Sequence, residues 1–324
     1  MRSTMRRGTA AALVATVALV VSACSSSGAQ EGAAAEPAED AEDAGTITVE
    51  HAQGITEVPA DPQRVVVLDM GALDTLDTLG VEVTGLPQAN VPSFLSKYED
   101  ERYTDVGTLQ EPDLEALARL DPDLVIVGFR SAGSYPELAR TFPTVDITFD
   151  YTDYLDGFAE SAMILGEIFD KEAEVEQALA GIEAQVEEIR PAGEAAGTGM
   201  VLQTSGGEVT MNGADSRFGL IFTELGVAEA ETDVDAAAHG EVISFELIRD
   251  TDPDWLFVND RDAAIGQGSG AAAEQVLDNE LVASTTAWQQ DQVVYLDGER
   301  WYIAQHGLSN VPAMLDEIGQ ALAK

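Results

Sequence analysis

Lysine is almost missing from this chain. Only Lys97, Lys171 and Lys324 occur in 324 residues, and 16 basic residues stand against 59 acidic ones, for a formal net charge of −43. A surface of that sign repels phosphate backbones, which excludes nucleic-acid binding as a bulk property. Cysteine occurs once, at Cys24, so an intramolecular disulfide is impossible. The three histidines, His51, His239 and His306, lack the cluster spacing of a resident zinc or manganese site. There is no G-x-S-x-G elbow, no H-E-x-x-H pair and no phosphate-binding G-x-x-x-x-G-K loop, which argues against an enzyme.

The one long apolar run is at the start. Arg2, Arg6 and Arg7 precede TAAALVATVALVV at 9–21, which has the length of a secretory h-region and is short for a membrane span. Val21-Ser22-Ala23-Cys24 follows and resembles a bacterial lipobox. Residues 1–23 are therefore expected to be a lipoprotein signal peptide, with Cys24 lipidated. Residues 24–45 are small, acidic and free of aromatics, a composition that cannot bury enough surface to fold. They are expected to form a lipid-anchored disordered tether.

Beyond residue 45 the sequence alternates strands and helices, which argues for a mainly parallel α/β sheet. ITVEHAQGITEVP predicts a hairpin turning at Gln53-Gly54, RVVVLD a buried strand, and GALDTLDTLG a helix closed by Gly80. Residues 152–190 carry apolar side chains at spacings of three and four with no proline before Pro191. They predict a long bridging helix that Gly166 could divide. The expected plan is an N-terminal α/β lobe at 46–151, the bridge at 152–190 and a C-terminal lobe at 191–324. In the second lobe two strands flank Ser205-Gly206-Gly207, SRFGLIFTELGV reads as a helix capped by Ser216, and residues 310–323 form the last helix.

Two segments repeat one another. LEALARLDPDLVIVGFR at 114–130 and FELIRDTDPDWLFVNDR at 245–261 align without gaps at Glu115/Glu246, at the two Asp-Pro-Asp triplets, at Val127/Val258 and at Arg130/Arg261. Each is a short helix, a turn and an apolar strand, with the arginine just past the strand. Ligands of open α/β sheets bind beyond the carboxyl ends of strands, so each lobe would present a cation to a shared cleft. In so acidic a chain this points to an anionic ligand.

Several runs, among them HAQGITEVPADPQRVVVLDMGALDTLDTLG, SRFGLIFTELG, AHGEVISFELI, VNDRDAAIG and LDGERWYI, closely resemble bacterial siderophore-binding lipoproteins of ABC importers. The likeness is strongest to the subgroup that captures ferric catecholates of petrobactin and enterobactin type, and it covers about residues 46–323. It implies two Rossmann-like lobes joined by a long helix, a class III periplasmic-binding-protein-like fold without intrinsic cofactor. It implies a monomer on the outer face of the cell membrane that delivers ferric siderophore to a permease and, through it, to ATPase subunits.

The resemblance also assigns residues. Arg130, Arg217 and Arg261 match the family's cleft arginines, and Trp301 is a candidate apolar wall. His239, in an H-G loop, and Tyr302, in a W-Y pair, match residues that complete the coordination of Fe(III) when a siderophore supplies four donors; phenolate oxygen is a hard ligand suited to that ion. Glu115 and Glu246 match acids that dock on permease arginines, with Glu111 as the alternative in the first lobe. Near residue 306 the family is glycine-rich and AQHGL departs from it, so His306 is open between ligand contact, metal donor and no role. His51 reads as structural. Haem or another metal chelate is the alternative ligand, since Tyr and His also hold haem iron.

Overall fold

The computed structural model describes residues 45–232, 240–266 and 272–324. The signal peptide, Cys24, nearly all of the tether and His239 lie outside the described residues.

The hairpin pairs β1 (Thr46–His51) with β2 (Gly54–Pro59), His51 opposite Gly54. Then come β3 (Val65–Val67), α1 (Met70–Leu79), β4 (Gly85–Leu86), β5 (Thr104–Asp105), α2 (Leu114–Leu120), β6 (Leu124–Val127) and β7 (Thr144–Asp146). These strands form a parallel sheet in the order β5-β4-β3-β6-β7. Its central strands are buried on both faces, which is why they read as unbroken Val, Ile and Leu. Asp69 caps α1 by accepting from the amides of Gly71 and Ala72, both at 2.9 Å, and Gly80 closes it at φ 71°.

The bridge differs from expectation in two ways. It is two helices, α3 (Tyr154–Phe169) and α4 (Glu172–Ala195), and they part at Asp170, φ 55°, not at Gly166. Gly166 instead lets the helices approach: a Cβ there would lie 3.1 Å from Val175 Cγ2 and 3.2 Å from Glu172 Cα. The second helix also runs through Pro191, past the expected end at 190. Pro191 is exposed, so water can serve the carbonyl whose partner it removes. Two residues on, Gly193 faces Leu225, whose carbonyl oxygen would be 1.9 Å from an added Cβ.

In the second lobe β8 (Thr198–Ser205) and β9 (Glu208–Asn212) form the expected hairpin through Gly206 and Gly207. After β10 (Ala228–Glu229) come β11 (Glu241–Val242), α5 (Phe245–Thr251), β12 (Trp255–Asp260), β13 (Val293–Leu296) and α6 (Asn310–Leu322). The sheet order is β11-β9-β8-β12-β13, with β10 beside β8. β8, β12 and β13 pair in parallel, and β9 pairs antiparallel with both β8 and β11, so it alone of these five runs the other way. The segment SRFGLIFTELGV is α-helical only at Leu220–Thr223. Ser216 Oγ accepts from the Phe218 amide inside a preceding turn, where Gly219 packs on the Ala214 carbonyl too closely for a side chain.

The repeated segments have one local structure. Asp121 and Asp252 each end their helix in the left-handed region, at φ 51° and 47°. Pro follows, since it cannot continue a helix. The second Asp of each triplet then ties the neighbouring strand: Asp123 accepts from the Arg64 amide at 2.7 Å, and Asp254 from the Thr198 amide at 2.8 Å. The duplication is thus a helix-stop and strand-anchor device used once per lobe.

The lobes share a seam. Tyr302, Ile303 and Ala304 come from the second lobe but pack in the hydrophobic core of the first. Among the described residues no helix is long and apolar enough to cross a membrane.

Candidate functional site

Three arginines converge on one tyrosine. Arg130 follows β6 after Phe129, a residue held at φ 48°, and Arg261 opens a short turn at the end of β12. Arg217 lies in the turn after β9. Tyr302 sits in a π-helical turn, Glu299–Ala304, that swings the chain back to the first lobe. The guanidinium carbons of Arg130 and Arg217 lie 4.9 Å from the Tyr302 ring centroid, and that of Arg261 lies 5.8 Å away. Arg261 Nε donates to the Tyr302 hydroxyl at 3.0 Å and Nη1 to Ser205 Oγ at 3.0 Å. Arg130 donates to the carbonyls of Tyr302 and of Ile303, the latter at 3.1 Å.

The electrostatics are those of an anion trap. Burial raises the Tyr302 pKa, but the hydrogen bond from Arg261 and the charges of Arg130, Arg217 and Arg261 outweigh it, and the net shift is downward. Arg217 is pulled below its ordinary value, first by burial and further by the other two arginines. Gathering three cations costs free energy that an anionic ligand would return. An aromatic wall borders the group: Phe129 stacks on Tyr151 at 5.3 Å and meets Phe149 edge-on at 5.0 Å.

Comparison with known proteins places this geometry. Residues 65–299 match the periplasmic binding protein family. The chain belongs to that family. It is 40% identical to the petrobactin-binding protein YclQ of Bacillus subtilis over 283 residues, 86% of this chain and 89% of that one. It is 34% identical to the ferric-anguibactin-binding protein FatB of Vibrio anguillarum over 278 residues, 84% and 86% of the two chains. The crystal structure of YclQ superposes with a TM-score of 0.82, covering 86% of this chain and 99% of that one. That of the catecholate-siderophore binding protein VctP of Vibrio cholerae, 34% identical, gives 0.80 over 84% and 99%. The two-lobed α/β architecture with long intervening helices is the family fold.

Among the residues expected at the site, Arg130, Arg217, Arg261 and Tyr302 lie together. Trp301 does not join them. Its side chain is fully buried, stacks on Phe218 at 6.3 Å and donates from Nε1 to Glu317 at 2.6 Å. The π-helical turn sends neighbouring side chains in different directions, so the tryptophan enters the core while the tyrosine meets the arginines. The expectation of an apolar cleft wall at Trp301 is corrected accordingly. His239 is outside the described residues; the next residue, Gly240, sits at φ 75°, where a Cβ would lie 2.4 Å from the Met211 carbonyl.

His306 is a seam residue. It is 1% exposed, its ring lies flat on Gly71, and Nε2 is 2.9 Å from Asp69 Oδ1 yet out of line for a hydrogen bond. His51 is buried in the hairpin against Thr56, 2.9 Å away. Burial lowers its pKa, against the pull of Asp146. Glu115 and Glu246 are exposed, each in the first turn of its helix.

Sequence reading missed Tyr151, Ser205 and Gln305. Ser205 lies where the glycine turn meets β8, and nothing in its surroundings marked it. Gln305 carried one signal, the departure of AQHGL from the glycine-rich pattern.

Proposed function

We propose that this protein captures a ferric siderophore, of catecholate type, in the arginine-lined cleft and delivers it to the permease of an ABC importer. One observation carries the reading: three guanidinium groups surround a single tyrosine whose phenol is eased toward phenolate. A ferric catecholate is anionic, because deprotonated catechols more than neutralise Fe(III). Arginine suits it by permanent charge, planar donors and stacking on aromatic rings. Tyr302, and His239 from the H-G loop, would complete the coordination of iron held by a tetradentate siderophore.

The test is a tryptophan-fluorescence titration of the chain lacking residues 1–24. Ligands are a ferric bis-catecholate, a ferric tris-catecholate, a ferric hydroxamate and haem. The bis-catecholate binds tightly, and His239→Ala/Tyr302→Phe weakens that complex selectively. Phenolate ligation releases the tyrosine proton, so bis-catecholate affinity rises with pH below the Tyr302 pKa, and Tyr302→Phe flattens the slope. Equal loss of both catecholates would remove the two residues from the metal. Preference for haem, or no binding, would overturn the reading.

Cys24 would carry the lipid anchor, and Glu115 and Glu246, one per lobe, would orient the loaded protein on the permease. Glu115→Lys/Glu246→Lys is expected to abolish uptake of radioactive iron while leaving ligand affinity unchanged. Cys24→Ser should move the chain from the membrane to the soluble fraction. Uptake at the wild-type rate, or unchanged membrane retention, would refute these assignments.

A further inference from the structure

The two copies of the repeat run on differently. Arg130 is followed by Ser131 but Arg261 by Asp262, so only the second copy sets a carboxylate next to its cleft arginine in the sequence. The two side chains are near one another, Arg261 Nη1 lying 3.6 Å from Asp262 Oδ1, yet too far for a hydrogen bond. Ser205, the last residue of β8, stands between the same two atoms. Its Oγ accepts from Arg261 Nη1 at 3.0 Å and donates to Asp262 Oδ1 at 3.2 Å. Chemistry fixes these roles, since a guanidinium only donates, an ionised carboxylate only accepts and a hydroxyl does both. The other oxygen of Asp262 accepts from the Gly206 amide at 2.7 Å, which ties the β8–β9 turn to the end of β12. Nε of the same guanidinium donates to the Tyr302 hydroxyl at 3.0 Å.

Asp262 and Tyr302 compete for one planar group. A direct contact between guanidinium and carboxylate is stronger than one between guanidinium and a neutral hydroxyl. Closing the 3.6 Å gap would turn Arg261 toward Asp262 and draw Nε off the tyrosine. The Ser205 hydroxyl prevents this by occupying both the Nη1 donor and the facing carboxylate oxygen. We infer that Ser205 is a positioning residue, a spacer that keeps Arg261 from collapsing onto Asp262 and so holds Nε on the Tyr302 oxygen. Complexes that use this oxygen to complete the coordination of iron depend on the spacer; complexes whose iron is already saturated do not. The inference rests on the siderophore-binding reading and deepens it.

The experiment titrates a ferric bis-catecholate and a ferric tris-catecholate into the chain lacking residues 1–24. Wild type is compared with Ser205→Ala, Ser205→Thr, Asp262→Asn and Ser205→Ala/Asp262→Asn. Ser205→Ala is expected to weaken the bis complex about tenfold, through the lost charge-assisted contact to the phenolate. The tris complex should weaken less than about threefold, because the Asp262 charge is present in either case and the guanidinium moves by only about an ångström. Ser205→Thr keeps the hydroxyl and restores bis-catecholate affinity. With asparagine at 262 the competing charge is gone, so in that background Ser205→Ala costs the bis complex less than about threefold, a coupling that two independent sites would not show.

Equal factors for the two complexes would mean that Ser205 does not act through Tyr302, and a tenfold loss that persists with asparagine at 262 would mean that Asp262 is not the competitor. Either result overturns the inference, as does a loss in Ser205→Thr equal to that in Ser205→Ala. A ligand-free melting midpoint of Ser205→Ala well below that of wild type would make the serine structural and overturn it too. If wild type binds neither complex, it is the functional reading that falls.

Discussion

Replacing Arg130, Arg217 and Arg261 together by glutamine is expected to lower affinity for a ferric tris-catecholate by at least about a thousandfold while leaving the ligand-free fold intact. Each charge-assisted hydrogen bond contributes roughly 1.5–3 kcal/mol. Three that share one ligand are not additive, but about 5 kcal/mol in total already corresponds to more than a thousandfold. Arg217 should be the costliest single loss, since burial and its two neighbours already pull it below its ordinary pKa, a cost that an anionic ligand would offset. Those neighbours are also the reason that stability survives. Without ligand the three charges repel across one ring, and glutamine relieves that repulsion while keeping donors for the Tyr302 hydroxyl and the Ile303 carbonyl. The melting midpoint should move by no more than a few degrees, about 1 kcal/mol for a chain of this size. Fluorescence titration and calorimetry on the same samples decide it. A collapse in melting temperature parallel to the loss of affinity would make the arginines structural.

Arg130 and Arg261 stood out because the repeat exposed them, whereas Arg217 stood on the family resemblance alone. A ligand of opposite charge must be met at strand ends, and the two matched strands ended in cations. What fixes their geometry was not legible. The π-helical turn has no periodicity that separates it from an α-helix, so Trp301 and Tyr302 read as a pair although one enters the core of the second lobe and the other packs at the edge of the first, against the three arginines. Gly166 read as a break because glycine weakens helices, yet its use is close packing against Val175, and the break falls at Asp170, where a left-handed residue can stop the helix. Pro191 read as a terminus because an interior proline costs helix stability; an exposed face in a helix pinned by the close approach of Gly193 to Leu225 tolerates it. In each case a tertiary contact overrode a local preference, and single-chain patterning carries no record of such contacts.

Asp74→Ala is expected to destabilise the fold by about 3 kcal/mol or more, and Asp74→Asn by less than about 1.5 kcal/mol. Asp74 belongs to α1 in the first lobe and is 1% exposed. It accepts from the Ser309 amide at 2.8 Å, the Ser309 hydroxyl at 2.5 Å and the Asn310 amide at 3.0 Å. These groups open α6 in the second lobe, whose own N-cap, Ser309, makes no capping hydrogen bond. The first-turn amides of a helix lack partners within it and carry positive dipole, so one lobe caps a helix of the other. Gly307, at φ 122°, lies against the same carboxylate; a Cβ there would be 2.4 Å from Oδ2. Alanine would strand three buried donors. Asparagine would keep an oxygen for the two amides and offer its own N–H to the Ser309 hydroxyl. The pH dependence has a definite sign. Burial raises the Asp74 pKa, outweighing the hydrogen bonds from Ser309 and Asn310 and the charge of His306. The native state therefore holds this proton more firmly than the unfolded chain. The associated stability is full below the ordinary carboxylate pKa and is lost as pH rises through the raised value. Asp74→Asn removes this pH dependence, and urea denaturation on both sides of the window would show it. Ser309 follows the π-helical turn that carries Tyr302 by a short connection, so Asp74→Ala should also weaken ferric catecholate binding, and more than Asp74→Asn. Equal stability of the two variants would mean that the seam is held elsewhere.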